Sequence, residues 1–376
     1  MSKTESLTNN VKAFFALLRA GLWETDVRLS PFGKIDYSEV YRLAEEQSVV
    51  GLVAAGLNHV IDTKVPRQDL LKFIGATLQM EERNKAMNYF IGVIVNKMRT
   101  ACIYTLLVKG QGVALCYERP LWRSSGDVDF YLSKESFTRA KTFFRPLAES
   151  LDPDNDYSSH INMSLDSWVV EIHANQHCGL SSRIDKVLDT IHSDLFNWGN
   201  IRSCIIGDTQ VFLPSPDNDI IIVFTHFLNH FYRGGLGVRQ ICDWSRLLWT
   251  YRDSINQKLL NKRLRSMGLL TEWKAFGSFA VEYLGMPEDA MPFYEKTKSF
   301  KRKAGRIKDF VMEVGNFGHN RNNSYYGNHS LIVRKAISFG RRLKDLVHHS
   351  AIFPLDSVRF LIGITCKGLR SFAHGE

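Results

Sequence analysis

The chain has 376 residues, 44% of them hydrophobic and 23% charged, with a net charge of +9. That length is comfortable for two lobes and the apolar share suffices for a sizeable core, which excludes a disordered or fibrous chain. No run approaches the roughly 18 apolar residues of a spanning helix, and the six scattered cysteines form no C-x-x-C pair, so neither a disulfide framework nor a cysteine zinc site is expected.

The N-terminal residues Met1-Ser2-Lys3-Thr4-Glu5 are polar and lack the apolar core of a signal peptide, so the cytoplasm is the expected location. From about residue 8 to residue 100 the patterning is helical: Val11 to Leu22, Tyr37 to Ile61, and Gln68 to Met98 just after Pro66, where proline is tolerated. Ile103 to Val108 then reads as a strand, followed by Lys109-Gly110-Gln111-Gly112 and a helical pattern over Val113 to Tyr117. A strand, a glycine turn and a helix start leave free backbone N–H groups that can cradle a phosphate. The turn matches neither G-x-x-x-x-G-K-[ST] nor G-x-G-x-x-G.

The most informative stretch is Leu121-Trp122-Arg123-Ser124-Ser125-Gly126-Asp127-Val128-Asp129-Phe130-Tyr131-Leu132. Side chains alternate along a strand, so Asp127 and Asp129 share one face while Val128, Phe130 and Leu132 bury the other. Neighbouring carboxylates repel unless a cation lies between them. Mg²⁺ takes oxygen ligands and commonly combines one or two carboxylates with substrate phosphates. Gly126 permits close backbone approach, and Arg123 stands where a phosphate needs countercharge. The competing reading is a solvated acidic strand edge.

Residues 156 to 165 and 167 to 174 alternate around the polar Asp166-Ser167, a hairpin signal. Glu171 falls mid-strand among apolar residues, and a buried carboxylate needs a partner. Two remain open: an arginine, or a metal shared with Asp127 and Asp129.

After Pro214 and Pro216 the pattern is helical almost to the end. Between Ile220 and Trp249, His226 and His230 are spaced i, i+4, as are Arg239 and Asp243. Phe-Leu-Asn separates the histidines with no glutamate base, so zinc is not expected. Arg239 and Asp243 form either a helix ion pair or a phosphate-binding arginine held by its aspartate. Residues 315 to 328 form the clearest irregular loop, a surface connector or a lid. Ala351 to Thr365, broken by Pro354, Asp356 and Arg359, reads as a packed helix. From Lys301 onward 14 Lys and Arg face 5 Asp and Glu, an excess equal to the net charge of the whole chain. Such a lobe can meet nucleic acid, but no RNA-recognition motif accompanies it, and a nucleic-acid partner is the less favoured reading.

Together these pieces resemble the DNA-polymerase-β-like nucleotidyltransferase superfamily. The closer resemblance is to a large, mostly uncharacterised bacterial nucleotidyltransferase family with the signature L-K-G…Y…P…R…G-D-x-D. Here that signature is Val108-Lys109-Gly110, Tyr117, Pro120, Arg123 and Gly126-Asp127-Val128-Asp129, followed by Glu171-Ile172-His173 and by His226, His230, Val238-Arg239 and Asp243. The wider superfamily has Gly-Ser or Gly-Gly where this chain has Gly110-Gln111, and a shorter interval to the aspartate pair. Both departures are normal in the closer family, as is a G-N-F-G stretch like Gly315 to Gly318.

The resemblance implies an α+β fold: a nucleotidyltransferase-type mixed sheet with flanking helices and a largely helical C-terminal lobe. The expected division is an N-terminal helical segment (1–100), a catalytic core (101–213) and the C-terminal lobe (214–376). The expected activity moves an NMP from an NTP to an unidentified acceptor hydroxyl or phosphate, with Mg²⁺ as cofactor and Mn²⁺ as an alternative. Asp127, Asp129 and Glu171 are the expected catalytic and metal-binding residues. Lys109, Gly110, Gln111, Arg123 and Gly126 are expected to bind the nucleotide, with His173, His226, Arg239 and Asp243 lining the cleft. The alternatives are a nucleotide sensor without catalysis and an RNA-binding protein using the basic lobe.

Overall fold

The structure is a computed structural model that describes residues 3–151, 159–233, 235–320 and 331–362. Four helices come first: α1 (Lys3–Trp23), α2 (Tyr37–Glu46), α3 (Val50–Leu57) and the 34-residue α4 (Arg67–Thr100). Asp36 caps α2 by accepting from the backbone N–H groups of Ser38 and Glu39. The expected continuous helix from Tyr37 to Ile61 is interrupted, because Ser48 adopts a left-handed conformation (φ +55°) between α2 and α3. α1 and α3 cross at glycines: a Cβ on Gly56 would stand 1.9 Å from the Leu17 carbonyl oxygen, and one on Gly21 would stand 1.8 Å from that of Leu52. Only glycine permits that approach.

The chain then builds a mixed sheet. β1 (Thr105–Val108) leads into the short helix α5 (Gly110–Ala114), which starts at Gly110 rather than at Val113. β2 (Val128–Leu132), α6 (Lys134–Phe144), β3 (Ser150–Leu151), β4 (His160–Leu165) and β5 (Trp168–His173) follow. The strand order is β1-β2-β5-β4-β3, with β2 and β5 parallel and the other neighbours antiparallel. The expected hairpin is β4–β5. Its turn residues Asp166 (φ +49°) and Ser167 (φ +65°) have the two positive φ angles that match the strand twist. Residues 156 to 158 of the expected first strand lie outside the described residues.

α7 (Ser182–Phe196) and a separate hairpin of β6 (Ile201–Ile206) and β7 (Thr209–Pro214) precede the helical lobe. That lobe contains α8 (Pro216–Arg233), α9 (Val238–Thr250), α10 (Gln257–Met267), α11 (Leu270–Leu284), α12 (Lys298–Val314) and α13 (Leu331–Ile352). The expected helical stretch from Ile220 to Trp249 is therefore two helices. Of the expected loop at 315–328, residues 316–318 form a short 3-10 turn, and residues 321–328 lie outside the described residues.

Two apolar cores hold this together. In the smaller one, Val128, Phe130, Leu132, Val170 and Ile172 of the sheet pack against α4 and α6. In the larger one, α1–α3 share their apolar faces with α8, α9, α11 and α12, including the edge-on pairs Phe15–Phe279 and Trp23–Trp249. Because β2 and β5 bury alternate residues in the smaller core, Asp129, Glu171 and His173 emerge on the opposite face, toward α8. No helix among the described residues is long and apolar enough to cross a membrane.

Candidate active site

Parallel pairing of β2 with β5 sets Asp129 directly beside Glu171. Asp127, one residue before β2, enters the same cleft. Among the described residues Glu171 pairs with His173 (3.4 Å) rather than with an arginine, and His173 Nε2 also meets Asp129 Oδ1 at 3.0 Å. Ligand atoms of Asp129, Glu171 and His173 all lie within 4.8 Å of one another, a grouping able to hold a metal ion. His173 is thus a candidate ligand that sequence reasoning left as cleft-lining. The available signal was its i+2 spacing from Glu171 on a strand.

Lys109, between β1 and α5, has φ +56° and places its Nζ 2.6 Å from Asp129 Oδ1. Burial alone would raise the Asp129 pKa, but Lys109 and the hydrogen bond from His173 hold it well below the usual carboxylate range. Asp127 goes the other way: burial, then the charges of Asp129 and Glu171, push it up. Burial disfavours imidazolium at His173, yet its hydrogen bonds to Asp129 and Glu171 raise its pKa. This wall therefore crowds negative charge around one ammonium and one imidazole.

The turn before Asp127 is pinned by a buried network. Arg123 Nε and Nη2 donate to Asp243 Oδ1 and Oδ2, both at 2.7 Å, and Tyr117 donates to the same carboxylate at 2.7 Å. Arg123 Nη1 also reaches Ser125 Oγ at 3.0 Å, and Arg239 Nη1 donates to the Ser124 carbonyl at 2.8 Å. Asp243 thus holds Arg123, the motif arginine, where a bond to Arg239 on its own helix was expected. The Arg123 guanidinium borders the cleft but is committed to shaping the turn. Asn84, which sequence reasoning missed, donates to the carbonyls of Leu121 (2.7 Å) and Arg123 (2.8 Å). Its signal was a polar residue on the buried stripe of α4 with Met87 and Ile91. Gln111 turns away from the cleft, and its side-chain amide donates to Asn84.

The cleft has two compartments. The first, about 140 Å³, is lined by Lys109, Gly110, Arg123, Gly126, Asp127, Asp129, Glu171, His226, His230, Arg239 and Asp243, among others. The second, about 270 Å³, lies toward β4 and includes His173. Lys109, Glu171, His226 and His230 border both. His226 and His230 touch through their Nε2 atoms at 3.1 Å. Burial and then Lys109 push His226 far down and His230 down to about 4, so both rings stay neutral near pH 7.

A family model described as "Uncharacterised nucleotidyltransferase" matches residues 33–285, about two thirds of the chain. The match runs from the loop before α2 to Gly285, the left-handed residue that closes α11. No curated protein and no solved structure matches the chain.

Proposed function

The chain belongs to this uncharacterised nucleotidyltransferase family, and on that premise we propose that it moves an NMP group from an NTP to an acceptor hydroxyl with the help of divalent cations. The observation that carries this reading is the in-register pairing of Asp129 with Glu171, with Asp127 entering the same cleft beside Lys109.

The donor set fits such ions. Three carboxylates offer hard oxygen ligands suited to Mg²⁺, and the adjacent imidazole of His173 is also acceptable to Mn²⁺. The opposed pKa shifts of Asp127 and Asp129 reflect negative charge that a cation would relieve. Asp127, Asp129 and Glu171 would hold the ions, with His173 beside them. When bound, the ions would polarise the phosphates and make the acceptor hydroxyl more acidic.

Lys109 and Arg239 sit where charge builds on the phosphates, and Gly110 lets the backbone come close. The acceptor oxygen attacks the α-phosphorus, the bond to the β-phosphate oxygen breaks, and pyrophosphate leaves with the bonding pair. Glu171, bordering both compartments, receives the hydroxyl proton. Arg123, Tyr117 and Asp243 keep Asp127 in place without touching the phosphates.

The basic lobe gives little support to RNA binding. Lys301 pairs with Glu282, Lys303 and Arg306 donate to the Ile352 and Ala351 carbonyls, and Lys308 pairs with Asp309. These four cations have partners within the lobe.

The test is Mg²⁺-dependent NTP binding by calorimetry, together with transfer of an α-phosphate label to components of a cell lysate. Asp129→Ala is expected to weaken NTP binding at least a hundredfold. Unchanged affinity in that variant would overturn the reading. Stoichiometric binding without pyrophosphate release under any acceptor mixture would make the protein a nucleotide sensor.

A further inference from the structure

The second compartment is larger than the first and differs from it in chemistry. Beyond the residues it shares with the first, its walls offer the carboxamides of Asn162, Asn175, Gln176 and Asn229 and the imidazoles of His160 and His177. A carboxamide both donates and accepts, and so does a hydroxyl. Gln176 Nε2 is buried there and has no hydrogen-bond partner among the described residues. A buried amide donor without a partner carries a desolvation penalty that a ligand oxygen would remove.

The lining also argues against other ligands. Among the described residues no Phe, Tyr or Trp borders the compartment. Among the described residues Ile222 and Cys178 supply its apolar side chains, too little for a lipid tail. Among the described residues away from the shared wall, the fixed charge is that of Arg233, whose guanidinium already donates to Asn229 Oδ1 at 2.8 Å. At about 270 Å³ the space lies at the small end of ligand pockets.

We propose that this compartment binds a small, uncharged polyol, of the sugar or cyclitol class, as the acceptor of the nucleotidyl group. One hydroxyl of the polyol lies at the Lys109–Glu171–His226 junction, where the compartments meet. That oxygen forms the new bond to the α-phosphorus, the bond between the α-phosphorus and the β-phosphate oxygen breaks, and pyrophosphate carries away the electron pair. The hydroxyl proton goes to Glu171. The remaining hydroxyls exchange hydrogen bonds with the carboxamides.

The identity of the site as an acceptor site rests on the nucleotidyl-transfer reading, but polyol binding can be measured without nucleotide, so the two can fail separately. The full-length protein is screened by saturation-transfer NMR against glucose, mannose, galactose, N-acetylglucosamine and myo-inositol, and in parallel against their phosphates and free nucleosides. At least one neutral polyol is expected to bind, with affinity falling tenfold or more in Asn162→Leu and in Asn229→Leu. MgATP affinity should change less than twofold in both, which also reports that the variants fold. Gln176→Met gives an independent third variant with the same expected loss. Failure of every neutral polyol to bind would overturn the proposal, as would tighter binding of the phosphates or nucleosides, or polyol binding indifferent to all three substitutions.

Discussion

The two walls of the cleft line one space yet are built on opposite electrostatic terms. On the strand wall, Asp127, Asp129 and Glu171 share a cleft with one ammonium and one protonatable imidazole, and the pKa values of Asp127 and Asp129 are driven apart. On the helix wall, the Asp243 carboxylate is closed by a two-pronged arginine and a tyrosine, and burial keeps His226 and His230 neutral. Burial alone would raise Asp243, but Arg123 pulls it down; burial alone would lower Arg123, but Asp243 holds it up. The helix wall therefore has its charges satisfied from within the chain, whereas the strand wall keeps an excess that a cation and a phosphate can complete. Buried charge serves architecture where it is internally paired, and chemistry where it is not.

The comparison breaks first at Asp129. Asp129→Asn is expected to lower the transfer rate per folded molecule at least a thousandfold, about 4 kcal/mol of barrier, and to lower the melting temperature as well, since the buried Lys109 loses its charged partner. Loss of folding would place Asp129 with the structural charges instead. Asp243→Ala is the opposite case. It strands the buried Arg123 and is expected to destabilise the chain by about 3–5 kcal/mol, measured by urea unfolding; because the same network pins the turn before Asp127, activity per folded molecule should fall as well.

A third experiment uses a buried acid on the helical side that lacks such a partner. Glu272 is fully buried, and burial followed by the charge of Asp356 pushes its pKa up to about 8. Its folded pKa lies above its unfolded one, so the folded state holds the extra proton. Stability should fall as pH rises from the ordinary carboxylate range through about 8, by on the order of a few kcal/mol. Glu272→Gln should flatten that slope in melting curves taken at pH 6 and pH 8.5. The smallest expected effect is at Arg239, whose guanidinium borders the nucleotide compartment. Arg239→Ala should raise the KM for NTP about tenfold, near 1.4 kcal/mol, with a lesser change in kcat. A larger fall in kcat would move Arg239 into transition-state stabilisation.

Much of the strand wall was legible in order of residues. Alternation places Asp129 opposite Val128 and Phe130, and the hairpin turn at Asp166-Ser167 was visible as two polar residues between alternating strands. The motif spacing also brought Lys109, Arg123 and Asp243 to notice before any contact was known. Their roles were less legible. A helical i, i+4 spacing suggested that Asp243 would hold Arg239, but the packing of α9 against the turn before β2 gives its carboxylate to Arg123.

What the linear chain determines by itself is local. Side-chain period, turn chemistry and the pairing of an aspartate with the next-but-one residue follow from backbone geometry within a few positions. The partnership of Asp129 with Glu171 depends on the register of two parallel strands 42 positions apart in the chain. Asn84 reaches the turn from the middle of α4, and the carboxamide compartment draws on β4, the segment after β5, and α8. None of these contacts is fixed by local sequence, because each is decided by which apolar faces the two cores bury together. Only that choice brings polar residues from distant segments onto one cleft.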